Sequence, residues 1–240
     1  MRAAVVQLHV GTDVEQNVDR ALGLVRAAVE AGAELAVLPE MVDYWGDDEG
    51  VPGIASSIPG PVSERLAAAA RTHGIWLLAG SIHETIPGSS RTYNTSLLFG
   101  PDGAEIARYR KIHLFDVQIP GRVESRESDT IAPGGEIVTA EVAGHTAGLS
   151  ICYDLRFPEL YRALADRGAE LVFVPAAFAL FTGKDHWEPL LRARAIENQC
   201  FVLAAGQQGV DARGTATWGR SMIVDPWGTV LATASDGDGF

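Results

Sequence analysis

Two hydrophobic rhythms alternate along this chain. Short apolar runs fall at residues 3–8, 35–38, 75–81, 92–99, 104–109, 137–142, 146–151, 171–174, 201–205, 221–224 and 230–233. Runs of roughly four to eight apolar residues bounded by turn formers read as strands. Between them lie stretches with helical spacing. One helix is expected to open with Thr12 as N-cap and Glu15 three positions on, to run to about Ala31, and to stop at Gly32. A second is expected from about Val62 to His73, closed by Gly74. A third takes Pro158 into its first turn and ends at Gly168. A fourth is expected over 185–198, with Asp185 and Glu188 near the positive end of its dipole. Gly144 marks a hairpin, and turns are expected at Pro101-Asp-Gly103 and Asp225-Pro-Trp-Gly228.

Hairpins mixed with strand–helix crossovers predict an α/β fold of two packed mixed sheets flanked by helices. No linker or repeat divides the chain, so one domain over 1–240 is expected. The chain stops at Gly237-Asp-Gly-Phe240, where another strand would be expected to start. That reads as a domain lacking a C-terminal segment.

With 240 residues, 47% hydrophobic and 21% charged, a sizeable core can form. The net charge of −12 argues against nucleic acid, because no basic patch would neutralise phosphates. The N-terminal apolar run is too soon interrupted for a signal peptide. The longest apolar stretch, 171–181, is shorter than the roughly 20 residues that span a bilayer. No membrane association and a cytoplasmic location are therefore expected. Cys152 and Cys200 are the only cysteines and form no CxxC pair, and the six histidines show no HExxH spacing. No metal or other cofactor is expected.

Three ionisable residues stand at or just past strand ends: Glu40, Lys111 and Cys152. Strand ends on one side of a sheet converge, so residues distant in sequence can meet there. A carboxylate can take a thiol proton, and an ammonium can stabilise the oxyanion formed when sulfur attacks a carbonyl. The N–H of Tyr153 is a natural second donor to that oxyanion. Taken singly, each has a plain structural reading: an inert buried thiol, a cap, one member of the basic cluster Arg108-Tyr-Arg-Lys111.

Leu38-Pro-Glu40, Tyr109-Arg-Lys-Ile-His-Leu114 and Ile151-Cys-Tyr-Asp-Leu-Arg-Phe-Pro-Glu159 resemble the three signature blocks of the nitrilase superfamily, the carbon–nitrogen hydrolases. The resemblance runs over essentially the whole chain. It implies a four-layer αββα sandwich and a Glu–Lys–Cys triad, with Glu40 as general base, Lys111 stabilising the tetrahedral intermediate and Cys152 as nucleophile. Glu127, within Arg126-Glu-Ser-Asp-Thr-Ile-Ala-Pro-Gly134, matches the family's second active-site glutamate, which implies that it holds Lys111 and helps to place the substrate amide.

The Cys-Tyr-Asp block disfavours nitrile chemistry. The segments 182–188, 191–197 and 204–209 are similar to the omega-amidase and deaminated-glutathione amidase branch. That branch implies a small carboxylate-bearing amide of 2-oxo-acid type, cleaved to acid and ammonia through a thioester. A carboxylate calls for a cation or donors, and Arg156, Thr182 and Tyr44 are the candidates, with Phe178 as an apolar wall. The structural alternative for Arg156 is an ion pair with Glu159 or Asp154. Alternatives at the level of function are an N-carbamoyl amino-acid hydrolase or another nitrilase-type amidase, and a non-catalytic binding protein of the same fold. A papain-like cysteine–histidine pair fits less well. A catalyst is expected to show a low-pKa Cys152 that alkylates ahead of Cys200. The resemblance also implies a homodimer or larger assembly paired through the helix after Cys152 and the helix over 185–198.

Overall fold

The structure is a computed structural model, and it describes residues 1–47, 49–121, 123–211 and 214–240. The first half of the chain gives β1 (Ala3–Val5), α1 (Val14–Glu30), β2 (Leu35–Val37), α2 (Val51–Ile54), α3 (Pro61–His73), β3 (Trp76–Leu78), β4 (Ile82–Thr85), β5 (Thr92–Phe99) and β6 (Glu105–Arg110). The strands β1, β2 and β3 are parallel neighbours. β5 runs antiparallel to them and pairs with β3 and β4 along one edge and with β6 along the other. A hairpin of β7 (Asp116–Ile119) and β8 (Val123–Arg126) follows.

The second half gives β9 (Thr139–Val142), β10 (His145–Leu149), α4 (Pro158–Asp166), β11 (Leu171–Ala176), α5 (Leu180–Asn198), β12 (Phe201–Gly206), β13 (Gln208–Val210), β14 (Ala216–Trp218), β15 (Met222–Val224) and β16 (Val230–Thr233). Its main sheet has the order β16-β15-β12-β11-β10-β9, with a parallel centre and antiparallel edges.

Strand alternation builds the layers. Leu35, Val37, Leu78 and Leu98 of the first sheet join one core with Ala147, Leu149, Leu171 and Phe173 of the second. Their neighbours Ala36, Leu38, Leu77, Leu97 and Phe99 point the other way, into a core with Val18, Val25 and Leu66 of α1 and α3. On the far side, α4 and α5 bury Leu160, Leu164, Trp187 and Leu191 against Val172, Val174 and Val202 of the second sheet. The result is the expected αββα sandwich. Each fully buried Leu or Val contributes roughly 1.5–3 kcal/mol of transfer free energy.

Three local readings need correction. The first helix is capped by Asp13 and not Thr12: Asp13 is extended and its carboxylate accepts the Gln16 N–H at 3.0 Å. β1 is shorter than 3–8, since Gln7 and Leu8 leave the strand for isolated bridges to Gly239 and Gln207. α5 begins at Leu180, so Asp185 and Glu188 do not sit at its positive end. Its first turn carries Gly183, where a Cβ would lie 2.4 Å from the Trp218 Cβ. Packing against β14 extends the helix through residues that carry no capping signal.

Candidate active site

Glu40, Lys111 and Cys152 leave three different strands at the same end of the sandwich. Glu40 follows β2, and the segment that carries it is tied down from several directions. Met41 N–H donates to the Ser81 hydroxyl at 2.8 Å, Val42 N–H donates to the Ser81 carbonyl at 2.9 Å, and Gln207 Nε2 donates to the Glu40 carbonyl at 2.7 Å. The approach of this loop to the β3–β4 junction depends on Gly80. Its φ is +63°, and an added Cβ would fall 1.8 Å from the Pro39 oxygen.

Lys111 follows β6, where alternation sorts the basic cluster. Arg108 and Arg110 lie on one face and both bond Glu84, while Tyr109 and Lys111 point inward. Only 2% of the Lys111 side chain is exposed. Its Nζ donates to Glu40 Oε1 at 2.9 Å and to both oxygens of Glu127, at 3.0 and 2.9 Å. Glu127 sits in a single 3-10 turn after β8 and also accepts the Phe115 N–H.

Cys152 opens a 3-10 turn beyond β10 with φ +47°. Few residues other than glycine adopt that left-handed conformation, and it costs of order 1 kcal/mol or more. The strain is held by Asp154, which is wholly buried. It accepts Ile151 N–H at 2.8 Å, Tyr109 O–H at 2.7 Å, and His113 N–H and Nδ1 at 3.0 and 2.7 Å. The turn bearing Cys152 and the loop bearing Lys111 are thereby fastened to each other.

The charges follow from burial and partners. Burial alone would raise the Glu40 carboxyl, but Lys111, the Cys152 thiol and the Ala177 N–H at 2.8 Å bring it below the ordinary carboxylate range. Burial would lower Lys111, yet the negative charges of Glu127 and Glu40 hold it well above its usual value. Burial and the Glu40 charge push the Cys152 thiol well up, against the pull of Lys111. The expected low-pKa thiol is therefore corrected: the resting set is carboxylate, ammonium and neutral thiol, with Glu40 hydrogen-bonded to the thiol. Burial also pushes Cys200 up, to about 11.

These groups open on a cavity of about 390 Å³. Its wall includes Tyr44, Tyr153, Arg156, Phe178 and Thr182, so all the sequence-derived pocket residues border one space. Arg156 is half-buried. It makes no ion pair with Glu159 or Asp154 among the described residues. It lies 5.0 Å from the Phe178 ring centroid and donates to His186 Nδ1 at 3.2 Å. Phe178 packs on Trp187 and is both core and wall. Sequence reasoning missed Asn94, whose Nδ2 donates to Glu40 Oε1 at 2.9 Å and faces Glu127 Oε1 at 3.4 Å. It also missed His83, Gln207 and the joining role of Asp154. Among the described residues no group of three or more His, Cys, Asp or Glu is arranged to hold a metal ion. No helix among them is long and apolar enough to cross a membrane.

The carbon-nitrogen hydrolase family profile matches residues 2–238. Omega-amidase NIT2 of Mus musculus is 42% identical over 233 residues, 97% of this chain and 84% of that protein. Deaminated glutathione amidase of Synechocystis sp. is 42% identical over 242 residues, 99% of this chain and 89% of that protein. Among solved structures, the C. elegans NitFhit protein superposes with a TM-score of 0.91 at 41% identity, over 98% of this chain and 57% of that longer one.

Proposed function

Because this chain belongs to the carbon–nitrogen hydrolase family, we propose that its cavity hydrolyses the carbon–nitrogen bond of a small linear amide through a thioester on Cys152. The observation that carries this reading is the contact set around one carboxyl group: Glu40 touches the thiol, the Lys111 ammonium and the Ala177 N–H together. A neutral nucleophile with an ionised base at hydrogen-bond distance is what general-base activation needs.

The steps balance without a cofactor. Sulfur attacks the amide carbonyl as the thiol proton passes to Glu40. Lys111 and the Tyr153 N–H take the developing oxyanion, with Glu127 holding Lys111 and the substrate amide. Glu40 returns the proton to the leaving nitrogen, the carbon–nitrogen bond breaks, and ammonia departs. Water then attacks the thioester with its proton going to Glu40. The carbon–sulfur bond breaks, and the free acid and the thiol are restored.

The similarity to proteins named as an omega-amidase and a deaminated glutathione amidase supports a substrate of 2-oxo-acid amide type. Arg156, with Thr182 and Tyr44 lining the same cavity and Phe178 beneath its guanidinium, is the group that would take the substrate carboxylate. The reading extends to a cytoplasmic homodimer paired through α4 and α5, which size measurement in solution checks.

The test is ammonia release from 2-oxoglutaramate and from deaminated glutathione. Wild-type protein is expected to turn over at least one of them, Cys152→Ala to lose activity, and Glu40→Gln to lose at least about 10²-fold. Near wild-type turnover by Cys152→Ala would end the proposal.

A further inference from the structure

His83 is a buried polar residue that the triad chemistry leaves unused. It stands on β4 directly opposite Asn94 on β5, so both side chains leave the same face of the sheet. Asn94 reaches Glu40 and Glu127, which places the imidazole one side chain from the reacting groups, and the ring forms part of the cavity wall.

Asp43 fixes the orientation of that ring. His83 Nδ1 lies 3.1 Å from both Asp43 oxygens, and Asp43 also accepts the His83 N–H at 2.8 Å and the Tyr44 N–H at 3.0 Å. A carboxylate in this position can only accept, so Nδ1 carries a proton. Nε2 has no hydrogen-bond partner among the described residues and is the free edge of a ring that borders the cavity. Only 2% of His83 is exposed. A ring held this rigidly by Asp43, with its other nitrogen left for the cavity it lines, is suited to an acceptor that arrives with a ligand.

The charges around it come from every side. Asp43, Glu40 and Tyr44 belong to the segment after β2, Glu127 to the 3-10 turn after β8, Lys111 stands next to Asn94 past the end of β6, and Cys152 lines the same cavity. Burial alone would lower the imidazole, but Asp43, helped by Glu127 and Glu40, raises it above its usual 6.5. Protonated, the ring offers Nε2–H as a charged donor. Neutral, with its proton kept on Nδ1, it offers a lone pair instead.

Arg156 and His83 reach the cavity from the two different sheets. A substrate with a single polar end needs only one of them. We propose that His83 is a substrate-binding residue whose Nε2–H donates to an oxygen on the acyl chain beyond the scissile amide, with the 2-oxo oxygen of a 2-oxo-acid amide as the group it reads, while Arg156 takes the terminal carboxylate. This rests on the amidase reading above.

The experiment compares two five-carbon dicarboxylic monoamides, 2-oxoglutaramate and glutaramate, which differ only in the oxo group. The ratio of their kcat/KM values is measured for wild type, His83→Asn and His83→Gln, with melting temperatures as a check on folding. Asn keeps a nitrogen near the Nδ1 position facing Asp43 and lacks the cavity donor. Gln reaches the Nε2 position. His83→Asn should lower the ratio about 10- to 100-fold, mostly through KM for the oxo substrate, as loss of a charge-assisted hydrogen bond does. His83→Gln should recover a large part of it. The wild-type KM for 2-oxoglutaramate should rise as pH climbs above the imidazole's raised range, and that dependence should vanish in His83→Asn. Equal losses on both amides, or an unchanged ratio, would overturn the inference and leave the amidase reading intact. No ammonia from wild type with any amide would overturn both.

Discussion

The thiol of Cys152 keeps its proton at neutral pH, because burial and the adjacent Glu40 charge both oppose a thiolate. Catalysis then depends on Glu40 being ionised, and the pH profile follows from that. The Glu40 carboxyl lies below its usual 4.5, so its carboxylate persists through neutrality and is lost only as pH falls through that lowered value. Cys152 and Lys111 lie above 9.0 and 10.5, so neither limits the rate near neutrality. For an amide without a 2-oxo group, kcat/KM should be flat through the neutral range, with its acid limb below pH 4.5. A stopped assay across buffers measures this. An activity that rose through pH 6 to 8 would instead indicate a thiolate formed before substrate binds.

Individual elements place these groups through their breaks as much as through their regular parts. β3 and β4 are two pieces of one edge along β5, with Leu78 opposite Leu98 and Ile82 opposite Thr95, and the interruption at 79–81 admits the Pro39–Glu40 loop. Gly80→Ala should move that loop. Strain at φ +63° and a contact at 1.8 Å cannot both be relieved in place. Misplacing a reacting group by about 1 Å can cost about 10²-fold in rate, so kcat should fall at least about tenfold while circular dichroism stays native. The β7–β8 hairpin, which delivers Glu127, gave little signal because its sequence Asp116-Val-Gln-Ile119 and the strand that follows are largely polar. The start of α5 was equally silent: Ala179 makes no side-chain cap, and the helix is extended by contact with β14.

At the scale of the molecule, the active site is where two sheets are clamped to one another. Asp154 belongs to the second half of the chain, yet two of its partners, Tyr109 and His113, belong to the first. Ala177 and Gln207 reach from the second sheet to the side chain and the carbonyl of Glu40. Asp154→Asn replaces an acceptor with a donor opposite buried N–H and O–H groups. Each buried group left unpaired costs about 1–3 kcal/mol. The variant should therefore lose at least about 2 kcal/mol in urea unfolding and lose activity with it. Retained stability would show that the clamp is not needed to hold the sheets.

The order of strands and helices was legible because short apolar runs and spacing near 3.6 are written in the residues themselves, as in 171–174 and 62–73. So was the identity of Glu40, Lys111 and Cys152 as strand-end residues, given the three blocks that contain them. The meeting of those side chains, the neutral state of the thiol, and the presence of Asn94 and His83 beside them came only from tertiary structure. Proximity across 112 positions between Glu40 and Cys152, and the loss of water that sets each proton's place, arise when separate elements pack. A polar residue in a strand looks the same in sequence whether it faces solvent or lines a buried cavity.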